Sequence, residues 1–489
     1  MNPFFKRSAP FLALLGLALG GCQPDLKDDP KSNAGQADFS RYVALGNSLT
    51  AGFGDGAPNS VGGLSLEGQL NSYPNLLAGQ FKKVGGGEFV QPLFNGPNQF
   101  NGSGFLKLTG FDAAGNPQIS FESANTANIP GSLTTRRGLL AKYTGPTNQN
   151  LGVPGIKVAD VTTNGYGLNN PFDFNAYFER LLPNGAAGGA NYLQYVTAQV
   201  AAVQPTFFTN WLGNNDVLGY ATGGGVGNDV LTPVADFTTK YNQVIDALTI
   251  TGAKGLVATI PNVTALPLFV TVPTAAVIAQ VQATVITPAQ STALAAALGL
   301  PGLPPTARFG LYIRTSATGA GAVREATAGD LILLGSRALI NAPSTTSPFP
   351  GGVGLVIPGA PATTAAALAA ASNALPNAAV LDASEIANVN ASTVALNGVI
   401  VAAAARKGLA VFDANAYFNG PVRTSLVANT TINSAAYLAG NLFSLDGVHP
   451  TPRGYAVVAN EMIKAINATY GAAVPGVDVS AYRGVRFPQ

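Results

Sequence analysis

Three side chains that lie far apart in the sequence are of the types that nucleophilic chemistry requires. Ser48 follows the step Gly46-Asn47 at the end of an apolar run, a step that suits a chain leaving a buried strand and entering a helix. His449 is the only histidine of the chain, and Asp446 precedes it by three residues. A serine hydroxyl is a poor nucleophile until a base takes its proton, and an imidazole is a suitable base. On one turn, the Asp-x-x-His spacing lets the carboxylate reach the far ring nitrogen and fix its tautomer.

The elements that must position these residues follow an alternation of strand and helix patterns, which predicts a doubly wound α/β core with a parallel sheet. The predicted elements are a strand over 41–46, a helix over 191–203, a strand over 206–213, a helix over 237–250 capped by Asp236, a strand over 254–263, a helix over 391–407 closed by Gly408, a strand over 409–415 and a helix over 452–467 capped by Thr451.

Two long insertions interrupt this core, at about 81–149 and 268–380. The first is rich in Gly, Asn and Phe, which favours loops or small hairpins. The second is rich in Ala, Pro and Thr, and its pattern allows helices near 286–299 and 363–375. Loops of this length are usually functional covers or disordered segments, and the sequence does not decide between these two possibilities.

Four polar turns are expected at the carboxyl edge of the predicted sheet, where open parallel sheets bind their ligands. Ser48 follows the first strand, residues 213–216 follow another strand, and residues 446–450 precede the last helix. The glycine-containing turn 150–155 could present backbone N–H groups at the same edge. We therefore expect all four turns to lie at one rim.

In this order, the segments GNSLTAG, NLGVPG, GNND and DGVHP resemble conserved blocks of the SGNH hydrolases, also called the GDSL esterase/lipase family. The resemblance covers residues of about 40–82, 146–266 and 381–468, and it leaves out both insertions. It implies a three-layer α/β/α architecture with a central parallel sheet, the flavodoxin-like fold of that family. One departure is Asn47, where the family usually has Asp; Asn keeps the turn-forming acceptor but loses the charge.

The resemblance also implies a role for each of the singled-out residues. Ser48 would be the nucleophile, and Asp446 and His449 the pair that activates it. The N–H of Ser48, the N–H of Gly155 and the side-chain amide of Asn215 would form the oxyanion hole. Such donors stabilise the negative charge that develops on the former carbonyl oxygen. Removing one of them costs about 3–4 kcal/mol of transition-state stabilisation.

The N-terminal residues predict export and anchoring. Residues 1–21 combine Lys6 and Arg7 with an apolar run and small residues, which is typical of a signal peptide and too short for a transmembrane helix. The segment that ends at Cys22, the only cysteine, resembles the lipobox of bacterial lipoproteins. We therefore expect a signal peptide over 1–21, a lipidated tether over 22–39 and a hydrolase domain over 40–489. The expected location is the outer membrane, with display on the cell surface suggested by the acidic run after Cys22.

Composition excludes several other classes of function. The formal net charge of +2, with 10% charged residues, gives no basic stripe for nucleic acid. A single histidine and a single cysteine provide no zinc cluster, so we expect neither a metal nor another cofactor.

Three functions remain open at this stage. An esterase or lipase for long-chain lipids would suit the apolar insertion at 268–380. Removal of acetyl groups from polysaccharide would suit a surface-anchored enzyme. A non-catalytic lipoprotein that binds a glycan or a partner is the third possibility, which the complete set of Ser, Gly, Asn, Asp and His disfavours.

Overall fold

The computed structural model describes residues 32–488 apart from 57–61, 96–101, 114, 123–127, 130–138, 168–174, 184–189, 228, 316–321, 425 and 429–430. The predicted signal peptide and Cys22 lie outside the described residues, so both stay predictions. The described part of the predicted tether is packed against the body. Ala37 and Phe39 are buried in the main core, and the ring of Phe39 stacks on that of Phe81. The packed part of the chain therefore begins before residue 40, the predicted boundary.

Five parallel strands form the central sheet of the described residues. These strands are β1 (Tyr42–Gly46), β2 (Asn150–Gly152), β3 (Phe207–Trp211), β4 (Lys254–Ala258) and β5 (Ala410–Phe412). Their order across the sheet is β5-β4-β3-β1-β2, and every neighbouring pair is parallel. The chain runs from β1 to one side for β2 and continues on the other side with β3. Such a reversal opens a crevice beside the carboxyl end of β1.

Helices cover both faces of this sheet. On one face, the ring of Trp211 packs edge-on against Tyr73, and Phe207 packs against Tyr470, so the helices Tyr73–Lys82 and Pro452–Tyr470 lie there. Alternate residues of a strand point to opposite faces. The second face carries the mutually packed helices Tyr192–Val203, Val234–Thr249 and Ala383–Lys407. The prediction of an α/β fold with a parallel sheet is confirmed.

The remaining α-helices are short or lie in the insertions. They are Ser48–Ala51, Leu66–Leu70, Ala176–Leu181, Asn215–Thr222, Pro267–Val270, Thr274–Gln282, Pro288–Ala297, Ala362–Ala371 and Ala414–Tyr417. The other strands pair in small antiparallel sheets: Phe105–Phe111 with Pro117–Glu122, Asn128–Ile129 with Leu139–Leu140, Leu331–Ile332 with Val380–Leu381, Leu426–Ala428 with Thr431–Asn433, and Arg308–Arg314 with both Val323–Glu325 and Val353–Val356.

Local signals placed several helix ends correctly. The hydroxyl of Thr451 accepts a hydrogen bond from the N–H of Gly454 and so caps the last helix as predicted. Gly408 ends its helix in the left-handed conformation, with a φ of 62°. That helix begins at Ala383, earlier than predicted, because Asp382 and Glu385 form a capping box. It is long and apolar enough to span a membrane, and one side of it packs in the main core.

The predicted cap at Asp236 is wrong. The helix begins at Val234, with Pro233 at the N-cap position. Asp236 lies in the first turn, where its negative charge is favourable at the positive end of the helix dipole, and it also pairs with Lys240 at 3.0 Å.

The second insertion has an apolar core of its own. Its helices Pro288–Ala297 and Ala362–Ala371 fall where the pattern allowed helices. The three-stranded antiparallel sheet around Arg308–Arg314 was not predicted. Leu311, Ile313 and Leu355 of that sheet are buried with Phe349 in a cluster separate from the main core. The first insertion forms a hairpin, Phe105–Phe111 with Pro117–Glu122, as the composition favoured.

Candidate active site

Ser48 is the first residue of a short helix at the carboxyl end of β1. The chain leaves the strand at Gly46, where a side chain is excluded because a Cβ atom would lie 2.0 Å from the hydroxyl of Thr50. The side chain of Asn47 then caps the helix by accepting the N–H of Leu49 at 3.1 Å. Asn47 thus keeps the capping role of an acceptor without a charge. The first N–H groups of a helix have no partner within it, and the N–H of Ser48 finds no acceptor elsewhere in the described residues.

A continuous chain of hydrogen bonds joins the three predicted catalytic residues. The hydroxyl oxygen of Ser48 lies 2.9 Å from Nε2 of His449. On the far side of the ring, Nδ1 lies 2.8 Å from Oδ2 of Asp446. The side chains of His449 and Asp446 are only 14% and 10% exposed. Both distances are those of good hydrogen bonds. Ser48 and His449, which are 401 residues apart in the sequence, are therefore in direct contact.

Asp446 is held by donors on both of its oxygens. Oδ1 accepts the N–H groups of Val448 and His449, each at 2.8 Å, and the hydroxyl of Ser444 at 3.0 Å. Oδ2 accepts the N–H of Gly56 at 2.9 Å in addition to the imidazole. Burial would raise the pKa of this carboxyl, but the charge and hydrogen bonds of His449 and the backbone donors outweigh burial and hold its pKa below the ordinary value. The group therefore stays ionised beside the imidazole.

The turn that carries Asp446 and His449 is fixed by its own backbone. The N–H of Ser444 donates to the carbonyl of His449 at 2.8 Å, and the N–H of Gly447 donates to the carbonyl of Ser444 at 3.0 Å. Gly447 has a φ of 70°, and a Cβ atom there would lie 2.9 Å from the backbone of Leu268. The ring of Phe53 packs against the imidazole with a centroid distance of 4.6 Å.

The predicted oxyanion donors lie at the same rim. The amide nitrogen of Asn215 donates to the carbonyl of Ile156 at 2.9 Å, which fixes the side chain and leaves its second N–H available. Gly155 precedes Ile156 in the turn after β2, is exposed, and has a φ of 84°. Its N–H has no acceptor among the described residues. The N–H of Val153 donates to the carbonyl of Gly46, and this bond ties the turn to the end of β1.

A small apolar pocket of about 30 Å³ adjoins Ser48. Ser48, His449 and Asn215 line it. Its other walls are mostly apolar and include Leu49, Trp211, Leu218, Val263, Leu266 and Phe443. Gly155 is not among the lining residues. The pocket offers space beside the serine for a short apolar group.

Sequence reasoning missed the residues that support the triad from behind, namely Phe53, Gly56 and Ser444. The sequence Gly54-Asp55-Gly56 predicts a turn. No local signal shows that this turn contacts a loop about 390 residues away. In the described part of the chain, no group of three or more His, Cys, Asp or Glu side chains is arranged to hold a metal ion.

The chain matches no protein-family model, and no curated protein matches it significantly. The resemblance to SGNH hydrolases therefore stays a prediction that rests on the four motifs, and the geometry of the site is the basis for proposing a function.

Proposed function

We propose that this protein is a serine ester hydrolase of the SGNH type, with a three-layer α/β/α core, that acts through an acyl-enzyme. The observation that carries the proposal is the unbroken hydrogen-bond chain from Ser48 through His449 to Asp446. The strand order β5-β4-β3-β1-β2 agrees with a flavodoxin-like core, and Ser48 follows β1 at its switch point. No cofactor is part of the proposal.

In the first half of the reaction, Nε2 of His449 takes the hydroxyl proton while Oγ of Ser48 attacks the ester carbonyl. The new C–O bond turns the carbonyl oxygen into an oxyanion. The N–H groups of Ser48 and Gly155 and the amide of Asn215 are the donors proposed to stabilise it. The intermediate collapses by breaking the bond to the alcohol oxygen, which receives the proton from His449.

In the second half, a water molecule gives its proton to His449 and attacks the acyl carbon. The bond to Oγ then breaks, Ser48 regains its proton and the carboxylic acid leaves. Throughout both halves, Asp446 accepts the proton on Nδ1 in a hydrogen bond and stabilises the imidazolium that forms twice in each cycle.

The pocket supports a short acyl group. The pocket beside Ser48 is small, about 30 Å³, and its walls are mostly apolar, which favours an acetyl group over a fatty acyl chain. The apolar composition of the insertion at 268–380 favours a long-chain substrate, but most of its buried apolar residues pack into a core of their own.

A second observation favours an acylated glycan or another substrate outside the membrane. The chain enters the body at the edge of the sheet opposite to Ser48. There the N–H of Gln36 donates to the carbonyl of Tyr470 at 2.8 Å, and the ammonium of Lys254, at the start of β4, donates to the carbonyl of Gln36 at 2.6 Å. The described part of the predicted tether therefore meets the body at the edge of the sheet remote from Ser48. We accordingly include O-deacetylation of surface polysaccharide as the second candidate function.

The test is hydrolysis of a series of nitrophenyl esters from acetate to palmitate, with Ser48→Ala as the matched inactive variant. We expect turnover that is highest for acetate, is abolished in the variant and is blocked by a fluorophosphonate. Highest activity on palmitate would contradict the short-acyl assignment. A folded protein without hydrolysis of any ester and without a fluorophosphonate adduct would show a non-catalytic, binding role instead.

A further inference from the structure

The segment 53–56, which follows the helix of Ser48, is bound to the loop 444–449, which carries Asp446 and His449. The N–H of Gly56 donates to Asp446 at 2.9 Å, and the N–H of Asp55 donates to the hydroxyl of Ser444, also at 2.9 Å. In the reverse direction, the N–H of Leu445 donates to Oδ1 of Asp55 at 2.8 Å. These three bonds join the nucleophile segment to the acid–base loop.

The backbone of Asp55 adopts an uncommon conformation that Asp tolerates better than most residue types. Its φ of 52° lies in the left-handed region, which disfavours side chains other than Gly, Asn and Asp. This conformation aims the N–H of Asp55, its carboxylate and the N–H of Gly56 at three successive residues of the loop. From the other side, the N–H of Leu106 in the hairpin donates to the carbonyl of Asp55 at 2.7 Å. These four hydrogen bonds of residues 55 and 56 hold the segment in this conformation beside the loop 444–449.

Ser444 passes this restraint on to Asp446. Its hydroxyl accepts the N–H of Asp55, so its single proton is available for Oδ1 of Asp446, at 3.0 Å. Segment 53–56 thus acts on both oxygens of Asp446. Gly56 donates to Oδ2 directly, and Asp55 orients the hydroxyl of Ser444 that donates to Oδ1. The carboxylate can therefore present Oδ2 to His449 in one orientation only.

The charge of Asp55 also acts on the site. Burial raises the pKa of Asp55 to about 6, the Leu445 N–H opposes this shift, and the negative charge of Asp446 adds to it. The other charged or titratable groups around Asp55 are Glu67, Arg483, Arg486 and Tyr437. Above that pKa, the ionised carboxylate of Asp55 places a second negative charge behind Asp446.

We propose that Asp55 is a positioning residue of the Ser48 site, which acts through Ser444 and Leu445 to hold Asp446 in line with His449. This inference rests on the proposed ester hydrolase function. Asp55 touches neither the nucleophile nor the imidazole in the hydrogen-bond chain, so its effect reaches the reaction only through the loop.

Two substitutions separate its charge from its hydrogen bonds. Asp55→Asn keeps an acceptor for Leu445 and a residue that tolerates a positive φ, but removes the charge. We expect kcat within about threefold of wild type, because the hydrogen bond to Leu445 is kept. We expect the acid limb of kcat/KM to move to lower pH by about 0.3 unit or more, because the loss of a negative charge in a partly buried site disfavours a nearby imidazolium. Asp55→Gly keeps the backbone conformation and loses the carboxylate. We expect kcat to fall about 10- to 100-fold with KM unchanged, since small misplacements of catalytic groups cost that much.

The control is Asp330→Asn in the second insertion. Asp330 is fully buried, and its carboxylate is bound by Arg324 and Thr327 rather than by the loop 444–449. We expect this variant to lose thermal stability without a change in the acid limb. Circular dichroism and melting temperatures confirm that each variant is folded.

The NMR titration of His449, the only imidazole, provides a readout that needs no substrate. We expect its midpoint to move to lower pH in Asp55→Asn and to stay in place in Asp330→Asn. Unchanged kcat in folded Asp55→Gly together with an unchanged imidazole titration in Asp55→Asn would overturn the inference. If the wild-type protein neither hydrolysed esters nor formed a fluorophosphonate adduct, the proposed function would fail, and the imidazole titration would still decide whether Asp55 acts on His449.

Discussion

Replacing Asp446 by Asn tests the hydrogen-bond chain at its most constrained point. Five donors converge on this carboxylate: Oδ1 accepts three, from Ser444, Val448 and the N–H of His449, and Oδ2 accepts two, from Gly56 and Nδ1. An amide has only one oxygen, so either orientation sets its NH₂ group against existing donors. The orientation that keeps three donors satisfied places the NH₂ group at the Oδ2 position.

In that orientation, the NH₂ group can bond to the imidazole only if Nδ1 becomes the acceptor. The ring proton then moves to Nε2, which faces the hydroxyl of Ser48 and can no longer act as a base. We expect kcat to fall by about 10⁴, the loss known for the equivalent change in the serine protease triad, which corresponds to about 5.4 kcal/mol of transition-state stabilisation. KM should change little, because the substrate does not touch Asp446.

The assay is the turnover of nitrophenyl acetate, combined with ¹⁵N NMR of the single imidazole to identify its tautomer. We expect the proton on Nδ1 in the wild-type protein and on Nε2 in Asp446→Asn. Asp330→Asn, with a buried acid outside the site, is the matched control and should keep both kcat and tautomer. A folded Asp446→Asn protein with more than about a tenth of the wild-type kcat, or with the proton still on Nδ1, would refute this reasoning.

Three further results are expected. Asn215→Ala should lower kcat by about 10²–10³ with little change in KM, because the donor acts mainly in the transition state; steady-state kinetics on nitrophenyl acetate with unchanged turnover would remove Asn215 from the oxyanion hole. Cys22→Ser should release an active protein into the soluble fraction, and its retention in the membrane pellet after a high-salt wash would contradict lipid anchoring. Burial raises the pKa of Asp216 to about 6, so the folded chain binds that proton more tightly than the unfolded chain does. This contribution to stability is complete below the ordinary aspartate pKa and is lost as pH rises through about 6, by up to about 3 kcal/mol. Urea unfolding should therefore show a flatter profile between pH 4 and 6 in Asp216→Asn than in the wild type, and equal profiles would count against the shift.

The elements at the rim could be predicted because their signals are local. The Gly46-Asn47 step ends a strand and caps a helix through Asn47 itself, and Thr451 caps the last helix through a neighbour three residues away. The single histidine limited the choice of a base to one residue. Side chains for a hydrogen-bonded triad could therefore be chosen before their contacts were known.

What the sequence could not supply depends on contacts between distant segments. The pairing of Arg308–Arg314 with Val353–Val356 joins strands about 40 residues apart in a region rich in Ala, Pro and Thr, where the strand pattern is weak. Asp55 and Gly56 look like an ordinary turn until the loop 444–449 is folded against them. The cap of Val234–Thr249 was misplaced because Asp236 suits both an N-cap position and the first turn of a helix. In the structure, Pro233 occupies the N-cap position and Asp236 lies in the first turn.

The central claim is that His449 activates Ser48 as a nucleophile. Its most direct test is the rate at which a fluorophosphonate labels the protein, with the adduct located by peptide mass spectrometry, in the wild type and in His449→Ala. We predict a single adduct on Ser48 in the wild type and a labelling rate at least about 10³-fold lower in the folded variant, since removal of the base from such a triad costs at least that much. An adduct on another residue, or equal labelling of Ser48 in both proteins, would contradict the claim.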